Sequence, residues 1–311
     1  MRRVLLCVLL LLIGTAAAGA GTVSASAATP APPGPSALKT IEALADYVPQ
    51  NSCDPHIKPG VAALAQLLLK TYPNTSYGSA RNCATSTSEH YEGRALDWMA
   101  SVRDPTTKAE AQAVLTWLFA TDSAGNKRAN LRRLGVMYLV WNNQIWGAWD
   151  QTWQPYYNCA STPQASLDDY CHRSHIHFSL SWEGAEKQTS FWTNTVAARN
   201  YGPCMAADLN WAPRYTSAHS TPCATHPKLV ASAGSSTFAK NLVAYSGARA
   251  NEGESGSVVS VIQQAVGATV DGYYGTSTKA KVAAWQQAHH LFVSGRANQD
   301  TWRSFLRAYH H

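Results

Sequence analysis

Three histidines crowd the stretch CHRSHIHFSLSW, residues 171–182, at His172, His175 and His177. Imidazole is the commonest biological metal ligand and the commonest general base. As a β-strand, this run divides by alternation into two faces. His175, His177, Ser179 and Ser181 point one way. Ile176, Phe178, Leu180 and Trp182 point the other, as a core face would. A second stretch, SEHYEGRALDWM at residues 88–99, carries His90 and Asp97 seven positions apart. Gly93 between them supplies the bend that lets both side chains turn toward one point. One His, one Asp and a further His make a three-ligand set. Such a set leaves a fourth position open, which marks catalytic rather than structural zinc.

The pattern His-x-x-Gly-x-Ala-x-Asp is met by His90, Gly93, Ala95 and Asp97, and a His-x-His follows far downstream. This resembles the zinc peptidases grouped as lysostaphin-type enzymes, D-Ala-D-Ala metallopeptidases and hedgehog domains, over roughly residues 40–200. The resemblance implies a zinc ion held by His90, Asp97 and His177. In the penicillin-insensitive murein endopeptidase branch the last ligand lies inside His-x-x-His-x-His, the spacing of His172, His175 and His177. The D-Ala-D-Ala carboxypeptidase branch places an acidic base three residues before the last ligand. Ser174 stands there in this chain, and a hydroxyl takes up no proton near neutral pH. The base then falls to His175, because zinc acidifies water and a modest base suffices. His172 either orients His175 or a ligand, or is a solvated loop histidine. Arg81 lies upstream of the first ligand, where the family often holds a substrate carboxylate or carbonyl oxygen; the rival reading is a surface arginine. Arg94 alternates with Ala95 and faces away from the metal. Asp168 and Asp169 are either partners of the site or solvated loop acids, and Ser88 and Glu89 receive no chemistry. Trp98, Trp141, Trp146 and Trp182 are expected to pack the core.

The C-terminal sixty residues carry Ile262-Gln263, Asp271-Gly272-Tyr273-Tyr274-Gly275, Thr278, Trp285-Gln286 and Thr301-Trp302. These resemble the first peptidoglycan-binding domain family, which implies a wall anchor; the rival is a stabilising three-helix module. The family's Gly-Leu after the second helix is His290-Leu291 here.

The elements that must position these residues are readable in outline. Residues 59–72 have a proline near the start and apolar residues at helical spacing, and 109–120 read as a second helix. Residues 135–147 read as a hairpin turning at Asn142-Asn143. Residues 93–100 and 175–182 read as two more strands. The fold class is α+β: an antiparallel-sheet zinc peptidase-like domain followed by a small three-helix domain. The expected organisation is a signal peptide at 1–27, a Pro-rich spacer at 28–37, the peptidase-like domain at 38–223, a flexible linker at 224–247 and a peptidoglycan-binding domain at 248–311. Thr276 or Ser277 is the expected cap of the helix that begins there.

Arg2 and Arg3, an apolar run too short to span a bilayer, and Ala25-Ser26-Ala27 read as a cleavable export signal. Its removal takes Cys7 and leaves six cysteines, which in an exported chain imply disulfides. Sequential pairing, Cys53–Cys83, Cys159–Cys171 and Cys204–Cys223, closes the shortest loops, and the absence of any C-x-x-C argues against a thiolate zinc site. The formal charge of +6 becomes mildly positive at +4 without Arg2 and Arg3. That suits an anionic wall and excludes a nucleic-acid stripe. No later run is long and apolar enough for a membrane helix. Eleven Trp and fourteen Tyr serve the core for the most part, though aromatics also line sugar- and peptide-binding clefts.

The function expected is a secreted zinc metallopeptidase of peptidoglycan endopeptidase or D,D-carboxypeptidase type, located outside the cell or in the wall and bound to peptidoglycan. A zinc-containing wall-binding protein without turnover is the alternative. A structural wall protein or a glycan hydrolase ranks third. A glycosidase needs two opposed carboxylates, and Glu89, Glu92, Asp168 and Glu183 show no pattern that singles any of them out. The oligomeric state and the bond cut are open at this level.

Overall fold

The computed structural model describes residues 28–309; the signal peptide expected over 1–27 lies outside them. The main unit is built on an antiparallel sheet. Helix α1 (Pro59–Thr71) comes first, then β1 (Tyr77–Gly78), a 3-10 turn (Glu89–Glu92) and β2 (Ala95–Trp98). Next come α2 (Pro105–Phe119), α3 (Ala129–Leu134), β3 (Val136–Trp141), β4 (Gln144–Gly147) and β5 (Trp153–Pro155). Two short 3-10 turns lead to β6 (Ile176–Leu180), followed by α4 (Trp182–Ala185) and α5 (Ser190–Thr193). The strand order is β1-β2-β6-β3-β4-β5.

Alternation assigns the two faces as the sequence implies. Leu96, Trp98, Ile176, Phe178, Leu180, Leu139 and Trp141 join one core cluster with the apolar stripes of α1 and α2. The opposite face carries Asp97 and His177, which lie directly across from one another in β2 and β6. The β3–β6 register shifts between Val136 and Tyr138. One extra residue flips the alternation, so Tyr138 lies beside Ser179 on the histidine face while Leu139 stays in the core. The β3–β4 hairpin turns at Asn142 (φ 48°) and Asn143 (φ 67°). Both sit in the left-handed region that a two-residue hairpin requires.

The C-terminal unit contains α6 (Thr237–Ala244), α7 (Ser257–Ala265), α8 (Thr276–Ala288) and α9 (Gln299–Tyr309). Two buried glutamines explain the motif positions there. The Gln263 side chain donates to Asp271 Oδ1 (2.6 Å), the Tyr273 carbonyl (2.9 Å) and Thr278 Oγ1 (3.0 Å), and accepts from the Gly272 N–H (2.9 Å). Gln286 repeats the device on the next loop. It donates to the Arg296 carbonyl (2.8 Å) and Thr301 Oγ1 (3.0 Å) and accepts from the Ser294 and Gly295 N–H groups. His290, where the resembled family has glycine, keeps the glycine-like conformation (φ 57°).

Three expectations are corrected. The stretch 224–247, read as a flexible linker, contains α6, whose Leu242 is buried with Ile262, Trp302 and Phe305. Its Ala/Ser-rich composition hid an amphipathic turn of helix. The Pro-rich stretch lies on the main unit: Tyr72 donates to the Pro30 carbonyl (2.6 Å) and Arg133 to that of Ser36 (2.8 Å). Helix α8 is preceded by Gly275 with no side-chain cap, because the Thr278 hydroxyl is committed to Gln263 and neither Thr276 nor Ser277 occupies the cap position. The three disulfides pair sequentially, as the loop lengths implied.

Candidate metal centre

Gly93 ends the 3-10 turn in the left-handed conformation (φ 66°). A Cβ there would lie 1.9 Å from the His56 carbonyl oxygen, so only glycine fits. This bend brings His90 back over Asp97 on β2. The pairing of β2 with β6 supplies His177. His90 Nε2 lies 3.2 Å from both Asp97 Oδ1 and His177 Nδ1, and His177 Nδ1 lies 2.9 Å from Asp97 Oδ1. All three residues are buried.

The outer atoms of each group fix where the protons are. His90 Nδ1 lies 2.6 Å from the Ser79 carbonyl oxygen. A carbonyl only accepts, so Nδ1 carries the proton and Nε2 presents a lone pair. His177 Nε2 lies 2.9 Å from Ser179 Oγ, whose hydroxyl donates to Glu89 Oε2 at 3.3 Å. Ser179 therefore accepts from His177 Nε2–H, and Nδ1 presents a lone pair. Tyr138 donates to the same Glu89 oxygen at 2.5 Å. Asp97 keeps Oδ1 toward the histidines while Arg81 pairs with Oδ2. Burial pushes the His90 imidazole below its usual range.

Two ring nitrogens and a carboxylate oxygen thus face each other in a buried triangle, an arrangement that a cation between them would stabilise. Four-coordinate zinc with bonds of about 2.0–2.2 Å separates its ligands by roughly 3.3–3.5 Å. The triangle's edges of 2.9–3.2 Å are close to that. The donor set, two imidazoles and one carboxylate, could hold a metal ion.

His175 precedes β6 and points to the same face. Its Nε2 lies 3.5 Å from Asp97 Oδ1. Ser174 Oγ donates to Asp169 Oδ1 (2.5 Å) and so accepts from His175 Nδ1 (2.9 Å), which leaves Nε2 unprotonated toward the centre. Burial keeps this imidazole below its usual range despite Asp97. Among the described residues His172 makes no hydrogen bond to His175, His90, Asp97 or His177; its ring packs 4.7 Å from that of His175, and its Nδ1 bonds the Tyr170 carbonyl at 3.2 Å. Burial and the neighbouring histidines push it down to about 3. Arg81 stands on the rim, tied to Asp97, with 56% of its side chain exposed. Arg94 faces away from the centre and is fully buried against Glu92.

Sequence reasoning passed over Glu89, Tyr138 and Ser179, and left Asp169 undecided. The signal for Ser179 was its place on the histidine face of β6. Tyr138 could not be found that way, because the bulge at Met137 reverses its side.

The chain matches the family model described as VldE, C-terminal domain, over residues 53–166. That span contains Arg81, His90 and Asp97 and ends before the histidine-rich strand. It matches the peptidoglycan binding domain family over residues 262–304, so a peptidoglycan-binding domain is found near the C-terminus. Neither match is to a zinc peptidase family. No curated protein and no solved structure matches the chain. The peptidoglycan-binding domain and three disulfides are consistent with an extracellular or cell-wall location. Among the described residues, no helix is long and apolar enough to cross a membrane.

Proposed function

We propose that this chain is a secreted, zinc-dependent peptidoglycan peptidase that cuts stem or cross-link peptides, with its C-terminal domain holding it to the wall. The observation that carries this reading is the buried triangle of His90 Nε2, Asp97 Oδ1 and His177 Nδ1. Those three residues would hold the ion. Bound zinc supplies Lewis acidity, which polarises a peptide carbonyl and makes a nearby water a stronger acid.

The chain's own groups supply the rest. His175 Nε2 takes a proton from the attacking water as the water oxygen joins the carbonyl carbon. It returns that proton to the leaving nitrogen as the C–N bond breaks. Asp169, through Ser174, holds His175 in the tautomer this needs. Glu89 does the same for His177 through Ser179, so both are positioning residues. Arg81 fixes the outer oxygen of Asp97, and its exposed guanidinium leaves N–H donors for a substrate carboxylate or carbonyl oxygen.

A second reading, a zinc-containing wall-binding protein without turnover, rests on Ser174, which replaces an acidic base with a hydroxyl. Digestion of purified peptidoglycan by the zinc-loaded protein separates the two. Product masses that show a hydrolysed peptide bond support the peptidase. Wall binding with no released fragment supports the binder.

A further inference from the structure

Two sets of exposed aromatic rings flank the donor triangle. On one side Trp149 and Tyr47 are 54% and 52% exposed. Their rings lie 5.5 Å apart, Trp149 lies 6.1 Å from Tyr138, and Tyr138 stacks on His177 at 5.4 Å. On the other side Tyr157 and Tyr170 are 70% and 53% exposed and stack at 5.8 Å. Tyr156 connects them to the centre, 4.6 Å from Tyr157 and 4.9 Å from His172.

These rings are held in place, which exposed apolar side chains seldom are. Trp149 folds over Gly147, where a Cβ would lie 2.2 Å from the indole, so the glycine is the seat of the ring. The Cys159–Cys171 disulfide joins the segments that carry Tyr157 and Tyr170. Buried Arg173 ties the same segments together through Asp168, Asn143 Oδ1 and the carbonyls of Cys159 and Gln164. Rigid aromatic planes at a binding surface cost little ordering entropy. Their faces carry partial negative charge, which suits the C–H-rich faces of sugar rings. Around them stand exposed hydrogen-bonding groups: the Asn158 amide beside Tyr157, and the carboxylates of Asp46, Asp150 and Asp169 beside Tyr47, Trp149 and Tyr170. Amides and carboxylates beside flat rings suit the hydroxyl and acetamido N–H donors of a sugar.

We infer that the two aromatic flanks bind the amino-sugar glycan strand of peptidoglycan, so that the centre meets a stem peptide still attached to its sugars. The inference names the substrate side of the site proposed above and rests on that reading for its role in cleavage, but sugar binding is measurable without turnover. The test uses the whole chain and a soluble tetrasaccharide of alternating N-acetylglucosamine and N-acetylmuramic acid with no peptide attached, titrated by calorimetry. Trp149→Ala and Tyr157→Ala should each weaken binding about tenfold. Trp149→Phe, which keeps a flat ring, should stay within about threefold, and unchanged melting curves show that the variants are folded. Wild-type protein that does not bind the tetrasaccharide overturns the inference. So does equal binding by wild type, Trp149→Ala and Tyr157→Ala, which would place all sugar recognition in the C-terminal domain. Weakened binding in the two alanine variants, together with a wild type that releases no peptide from wall, upholds the glycan flanks and removes the peptidase.

Discussion

Replacing Glu92 with glutamine tests how the His90 turn is held against the sheet. Glu92 and Arg94 are both completely buried. Glu92 Oε1 accepts from the N–H groups of Asn51 (3.1 Å) and Ser52 (2.8 Å) and from the Ser52 hydroxyl (2.8 Å). Oε2 accepts from Arg94 Nε (2.8 Å) and Nη2 (2.5 Å). Arg94 spends its other donors on the Leu180 (2.7 Å) and Val48 (3.0 Å) carbonyls. Every neighbour of the carboxylate is a donor, so a glutamine amide must aim N–H groups at N–H groups and leave the guanidinium without a counter-charge. Breaking one side of a buried ion pair costs roughly 3–5 kcal/mol. At about 2–4 °C per kcal/mol for units of this size, the melting temperature should fall by roughly 6–20 °C. Calorimetry and urea unfolding of Glu92→Gln measure this. Adding Arg94→Met removes the stranded charge, so the double variant should be more stable than the summed single costs by at least about 1 kcal/mol. A loss under about 1 kcal/mol for Glu92→Gln, or strict additivity, would refute the reasoning.

The other predictions concern the centre and the junction with the C-terminal unit. Ser179→Ala removes the acceptor that holds His177 Nε2–H, so zinc affinity in a chelator competition should fall about 10–100-fold, while Ser179→Thr keeps most of it; equal affinity of the alanine variant contradicts this role. His175→Ala should keep its zinc and lose about a hundredfold or more in peptide release, and near-normal cleavage would remove it as the base. Asp54 is buried among His56, Lys58 and Arg249; burial raises its pKa, but Lys58 and the other cations outweigh that and leave it lowered. A depressed carboxylate stabilises above its unfolded value and loses that contribution as pH falls through the folded one. Asp54→Asn should therefore cost about 1.5–3 kcal/mol at pH 7 and much less once the pH is well below 3.8, as urea unfolding at the two pH values would show.

Alternation places His175 and His177 on one face of β6, and Gly93 marks the turn that brings His90 toward Asp97; the choice of His90, Asp97 and His177 as a ligand set comes from the family resemblance. The disulfides follow the sequential pairing preferred for its short loops, one of fifteen that six cysteines allow. The supports of the donors were not legible. Tyr138 reaches Glu89 only because the Met137 bulge reverses the alternation of β3, and a bulge leaves no mark on hydrophobic periodicity. Asp169 acts on His175 only through the Ser174 hydroxyl, a residue first read as a missing base. Helix α6 was hidden because its eight residues lie in an Ala/Ser-rich stretch and bury their apolar side against α7, α9 and the Leu209–Trp211 segment. Exposed Trp149 was indistinguishable from the buried tryptophans until its seat on Gly147 was seen.

The most direct test of the account is the zinc content of the full mature chain after exchange into zinc buffered by a competing chelator. Wild-type protein should retain one equivalent. His90→Ala, Asp97→Ala and His177→Ala should each lose it while Arg81→Ala retains most of it. Wild-type protein with no zinc above background, or the same zinc content in all three donor variants, would contradict the assignment of His90, Asp97 and His177 as the metal ligands.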